Sequence, residues 1–278
     1  MMSALFVASL AALLSCVLVW APRHLPREHW QVLASLPRRR SGDTWTATNL
    51  TWYGALTAMA GMVASALFLV LATASGATIV EAALVTLCGL GIAVPCSSFI
   101  ATRVEKKPHT LSIAGAMIPT FLLLPIGIHV YAESELAAAS ALQPMAMVAA
   151  LMVAYVIGEG LGRIACLSFG CCYGAPVSDV RPSLRRVFSR WNIVFHGPMK
   201  KAAYAGSLDG VPLVPIQTMT SWVHTVGGCL AVWLFLRGDV VNAFGVAAAT
   251  ALGWRFASEF LRHDHRGAIR VSPYQWAS

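Results

Sequence analysis

Apolar residues run along this chain in long blocks rather than in the short alternations of a soluble fold. Seven blocks, at about 3–20, 50–72, 78–101, 110–131, 143–169, 211–236 and 240–261, are each long enough to cross roughly 30 Å of hydrocarbon as an α-helix. The longest polar stretch, 173–211, falls between the fifth and sixth blocks. The pattern predicts an all-α, polytopic membrane fold of seven transmembrane helices, with one basic extramembrane connection between the fifth and the sixth. It divides the chain into an N-terminal helix with a basic loop, 1–49, and a membrane core, 50–278. No Lys or Arg precedes the first block, whereas a secretory signal opens on a basic segment, so this block is expected to be a retained helix. Pro119 and Pro125 predict a kink in the fourth helix.

Composition agrees with this pattern. Of 278 residues 57% are hydrophobic and 12% charged, with a mean hydropathy of +0.67, which excludes a water-soluble globule. The net charge of +8 would suggest a nucleic-acid partner in a soluble protein, but no basic block is interleaved with exposed aromatics, and none is expected here. The basic residues instead report topology. Seventeen of the 20 Lys and Arg lie in the connections after the first, third and fifth blocks and in the C-terminal tail, and Arg237 alone lies in an even-numbered connection. The positive-inside rule then puts the N-terminus outside and the C-terminus in the cytoplasm.

Two ionisable groups stand out inside the apolar blocks. Glu159 and Arg163 are four residues apart near the end of the fifth, and Arg255, Glu259 and Arg262 repeat such a spacing in the seventh, so each set shares one helical face. An arginine at mid-bilayer costs about 2.5–3.5 kcal/mol on insertion scales, so these residues are expected to face a polar interior. Two arginines entering one bundle make a clamp for a phosphate or carboxylate. The plainer reading is two helix–helix ion pairs, with Arg262 snorkelling.

The connection after the fifth block opens with Ser168-Phe169-Gly170-Cys171-Cys172-Tyr173-Gly174. Cys166, Cys171 and Cys172 have no histidine at ligand spacing, which argues against a zinc site, and no metal or cofactor is expected. A thiolate at Cys171 or Cys172 beside Arg163 could serve as nucleophile, or the cysteines could be small residues at a tight helix end. His196, with Lys200 and Lys201, offers a general base and head-group contacts, or a basic loop that meets anionic lipid heads.

In chain order, four stretches resemble the bacterial prolipoprotein diacylglyceryl transferase family. Leu50-Thr51-Trp52-Tyr53-Gly54 resembles the family's aromatic-Tyr-Gly entry, and Gly162-Arg163-Ile164 with Gly170 and Gly174 its arginine signature. Val214-Pro215-Ile216-Gln217 resembles its His-Pro-x-Gln element, and Arg255 to Arg262 with Gln275-Trp276 its C-terminal Arg/Glu/Arg helix and Gly-Gln-Trp. The resemblance implies phosphatidylglycerol or another anionic phospholipid as donor, in the bacterial cytoplasmic (inner) membrane. It further implies Tyr53, Arg163 and Arg255 at the head group, Glu259 and Arg262 in support, and Gln217 as a nearby polar contact. The departures describe a divergent branch. The family's third-helix His-Gly-Gly aligns with Ala114-Gly115-Ala116, and its signature Asn and Glu become Cys166 and Cys171. The His of His-Pro-x-Gln becomes Val214, and the glutamate after it Thr220. An extra helix is expected in front and the family's last helix is expected to be missing.

The expected activity is a phospholipid-dependent transferase acting on an unidentified acceptor. His196, Cys171 or Cys172 would replace the lost histidine, with Glu159, Lys200 and Lys201 among the binding residues. The alternative is a non-enzymatic protein that binds or moves phospholipid with the same clamp.

Overall fold

Several membrane helices begin where a short polar side chain takes up the amide hydrogens that a helix start leaves without partners. Thr51 Oγ1 accepts from Gly54 N (3.2 Å), and Ser112 Oγ from Gly115 N (3.2 Å). Thr78 and Glu81 cap reciprocally: Glu81 Oε2 accepts from Thr78 N (2.8 Å) and Thr78 Oγ1 from Glu81 N (3.2 Å). The computed structural model describes residues 2–103, 112–137 and 140–262. The helices that follow these starts are α2 (Trp52–Ala74), α3 (Ile79–Arg103) and α4 (Ile113–Ala132), preceded by α1 (Met2–His24) and followed by α5 (Pro144–Phe169).

Beyond α5, residues 170–215 carry two short helices, α6 (Pro182–Phe188) and α7 (Lys201–Tyr204). Next come α8 (Ile216–Leu236), α9 (Val240–Ala248) and α10 (Trp254–Glu259), the last two joined by a π-helical turn, Ala249–Gly253. Among the described residues seven spans are long and apolar enough to cross a membrane, with α9 and α10 forming the seventh, as the hydrophobic blocks predict. The sixth starts at Ile216, later than its block, because Pro212–Leu213 is a strand and Pro215 holds the residue before the helix.

The centre of the bundle is α5, which packs against α2, α8 and α9. Its small residues allow this. A Cβ on Gly158 would lie 2.7 Å from Ala64 Cβ of α2, and one on Gly160 2.8 Å from His224 Cβ of α8, so two backbones approach α5 closely on different faces. Ser221 Oγ donates to Gly160 O (2.7 Å) across the second of these contacts. At the periphery α3 packs against α4, and Tyr131 OH donates to Glu81 Oε1 (3.0 Å). Leu14, Leu18 and Ala21 of α1 are buried, and α1 packs against α8 and α5.

The first connection is more than a basic loop: it forms an antiparallel hairpin of β1 (Val32–Ser41) and β2 (Thr44–Thr51). Gly42, at φ +61°, supplies the positive φ that a two-residue turn needs, and Arg38, Arg39 and Arg40 are exposed near the tip. The second connection folds back on the bundle. Its strands β3 (Ile193–Val194) and β4 (Pro212–Leu213) pair, and the Lys200 ammonium, 1% exposed, donates to Ser168 O at the end of α5 (2.5 Å) and to Leu25 O just after α1 (3.0 Å). The base of the hairpin, the second connection and the end of α10 therefore share one end of the bundle.

Candidate functional site

Within that end, the polar residues of α5 form a row. Arg163 Nη2 donates to Glu159 Oε1 (2.6 Å) one turn earlier, and the pair is nearly buried. One further turn back, the buried Tyr155 hydroxyl interacts electrostatically with Glu159, Arg163 and Arg255. From α8, His224 is 1% exposed; its Nδ1 lies 2.9 Å from Thr220 O, and its Nε2 is 3.5 Å from Glu159 Oε2. A carbonyl only accepts, so Nδ1 carries a hydrogen and Nε2 is the nitrogen turned to the carboxylate. Glu159 thus accepts from an arginine of its own helix and has a histidine of α8 on its other side.

The seventh span contributes the second arginine. Arg255, 9% exposed like Arg163, lies in the first turn of α10, directly after the π-helical turn. Trp254 Nε1 donates to Thr220 Oγ1 (2.9 Å), which fixes α10 against α8. At the end of the span Arg262 Nη1 lies 3.5 Å from Glu259 Oε1, while the Arg262 backbone pairs with Gly174 and Ala175 N donates to Leu261 O (3.1 Å). This docking needs a bare α-carbon, since a Cβ on Gly174 would lie 2.5 Å from Val214 O.

The three cysteines meet where α5 ends. Gly170, at φ +71°, closes the helix in the left-handed conformation, and the amides of Gly170 and Cys171 both donate to Cys166 O (2.8 and 3.2 Å). Cys172 is itself left-handed, at φ +54°, and Gln217 Nε2 donates to Cys171 O (2.8 Å). The three sulfurs lie within 4.8 Å of one another. Arg163 Nη1 is 4.0 Å from Cys172 Sγ. Hydrogen bonds with Cys166 and Cys171, and the nearby Arg262 and Arg163, hold the Cys172 thiol well below the usual thiol range. Tyr53, at the start of α2 with its ring against Phe169, interacts electrostatically with all three thiols and with Arg163.

Of the residues the sequence nominates, Arg163, Glu159, Arg255, Arg262, Cys171, Cys172, Tyr53 and Gln217 fall into this neighbourhood, with Glu259 beside Arg262. The others are elsewhere. His196 is exposed and its amide donates to Pro26 O (3.2 Å), Lys200 is engaged by two backbone carbonyls, and Lys201 is half-buried at the start of α7. Gln275-Trp276, Arg266, Arg270, Lys106 and Lys107 lie outside the described residues. His224, Tyr155 and Trp254 were not nominated. Two signals point to them: His224 is seven residues after Gln217 on one helical face, and Tyr155 is four before Glu159. In α4, Gly115 packs against α3, where a Cβ would lie 2.7 Å from Ile100 Cβ.

Comparison with known proteins gives one partial relative. Over 117 residues, 41% of this chain, it is 32% identical to a protein of Clostridium perfringens (strain 13 / Type A) named phosphatidylglycerol–prolipoprotein diacylglyceryl transferase 2. The match spans 38% of that relative's length and supports a relation to the diacylglyceryl transferase family. No profile of a known protein family matches the chain.

Proposed function

We propose that this protein is a phospholipid-dependent transferase that moves a lipid-derived, diacylglyceryl-like group from an anionic glycerophospholipid to an acceptor. The observation that carries this reading is that Arg163 and Arg255, each 9% exposed and on different spans, both lie within electrostatic range of one buried hydroxyl, that of Tyr155. Burying two guanidiniums in a membrane protein is costly, and a phosphodiester held between them offsets that cost. In this reading the arginines hold the phosphate and take up the charge that grows on it as the ester bond breaks, while Tyr53 orients the head group. Glu159 accepts from Arg163 and keeps its fork in position. The partial relationship to a phosphatidylglycerol–prolipoprotein diacylglyceryl transferase supports the donor class.

The direct test uses the full chain in liposomes containing phosphatidylglycerol with an isotope-labelled glycerol backbone, supplied with a cysteine-containing peptide. Labelled diacylglycerol attached to an acceptor, lost in Arg163→Ala, is expected. Binding of the lipid that depends on Arg163 but yields no product would instead establish the binding protein.

A further inference from the structure

Three thiols aimed at one another are an unusual use of a helix end. A tight turn needs small residues, and alanine or serine would serve; mutual convergence of sulfur needs another reason. At Cys172 the chain accepts a left-handed conformation that is unfavourable for a non-glycine residue, and the hydrogen bonds at Cys166 O and Cys171 O hold the turn that presents it. Thiolates bound to one zinc ion at about 2.3 Å lie roughly 3.8 Å apart in a tetrahedral site. The sulfurs here, within 4.8 Å of one another, need close by no more than about 1 Å to reach it.

We propose that Cys166, Cys171 and Cys172 form a three-thiolate site for a zinc-class ion, with a fourth position open beside the Arg163 guanidinium. The absence of a histidine at ligand spacing, which argues against a closed four-ligand site, is what an open one requires: three protein ligands and one exchangeable position are the pattern of catalytic zinc. Soft sulfur donors select such a d10 cation over magnesium or calcium. Three thiolates and a divalent ion carry a net negative charge, and Arg163, 4.0 Å from Cys172 Sγ, with Arg262 close by, offsets it.

An ion held there deprotonates a thiol that binds to it, so no histidine base is needed. The step that follows rests on the transferase reading; the metal site does not. The acceptor thiol gives its proton to solvent on binding, and its sulfur attacks the glyceryl carbon of the donor. A C–S bond forms, the C–O bond to phosphate breaks, and the phosphate leaves with the electron pair toward Arg163 and Arg255.

The test uses the purified full chain in detergent with a non-thiol reductant. After zinc loading and desalting, one ion per chain is expected, and cobalt substitution should give a sulfur-to-cobalt charge-transfer band. Cys166→Ser, Cys171→Ser and Cys172→Ser should each weaken binding at least about ten-fold, whereas Cys88→Ser, on the outer face of α3, should not. Adding N-acetylcysteine amide should shift the cobalt spectrum. Absence of stoichiometric ion and band from the folded wild type, or an unchanged band in the triple variant, would overturn the site, and an unshifted spectrum would overturn its open position. Where a serine variant does not fold, zinc should slow alkylation of the three cysteines in the wild type but not of Cys88; equal rates would overturn the site. Lipid transfer that survives Cys172→Ser and chelation overturns the ion's part in the step while the transferase reading stands. Zinc binding without transfer to any thiol upholds the site and ends that reading.

Discussion

Lys200 shows how far a basic residue's role depends on what the fold brings to it. In the sequence it belongs to a basic juxtamembrane loop; in the structure its ammonium joins the end of α5 to the residue after α1. Lys200→Met leaves two carbonyls without that donor, and a loss of about 1–3 kcal/mol is expected, read as a lower unfolding midpoint in detergent. Burial pulls the amine's pKa from 10.5 down to about 8, with Glu28 opposing. Between those values the unfolded chain binds the proton that the folded chain has released, so this group's contribution to stability rises with pH from about 8 to 10.5 and is flat below. The wild type should gain on Lys200→Met across that window; parallel pH profiles would contradict it. Arg163 was legible for the opposite reason, since an arginine in an apolar block needs a partner whatever the fold. Its fork reaches Glu159 and Cys172 together, which a lysine's single nitrogen does not reproduce, so Arg163→Lys should lose at least about ten-fold in lipid transfer. His224 gave a weaker signal, its seven-residue spacing from Gln217, because a lone histidine in an apolar helix carries no cost that names Glu159 as its neighbour.

Between elements, the site depends on glycines that let backbones touch. Gly160→Ala places a methyl 2.8 Å from His224 Cβ, so α5 and α8 must separate, the Ser221–Gly160 bond lengthens and His224 moves from Glu159. A stability loss of about 1–3 kcal/mol is expected, together with weaker transfer. Unchanged melting and activity would show that the α5–α8 contact does not position Glu159. The spans were legible because hydrophobic length alone specifies them. The hairpin was not, although Ser41-Gly42-Asp43 ahead of the threonine-rich 44–51 carried a turn signal, because the count of basic residues dominates the reading of a short connection. The meeting of 174–177 with 212–214 and 261–262 is non-local, and no periodicity announces it.

Across the whole molecule, the hairpin base, the cysteine turn and the end of the last span gather at one end of the bundle, the end whose connections hold the arginines of 181–190. If the charge rule governs insertion, that end is cytoplasmic, and a cysteine introduced at position 190 should resist an impermeant thiol reagent in intact cells and react after permeabilisation. Labelling in intact cells would place the site outside. The fold class follows from composition and block length, whereas the site's assembly depends on contacts between distant segments, which is why Arg163, Arg255 and the cysteines are legible in the sequence while the approach of His224 to Glu159 is not. The measurement that tests the central claim most directly is mass spectrometry of the lipids and lipid-modified proteins of membranes holding the wild type or Arg163→Ala at equal levels. A lipid consumed and a diacylglyceryl-bearing product formed with the wild type alone is the result predicted here; identical profiles for the two would contradict it.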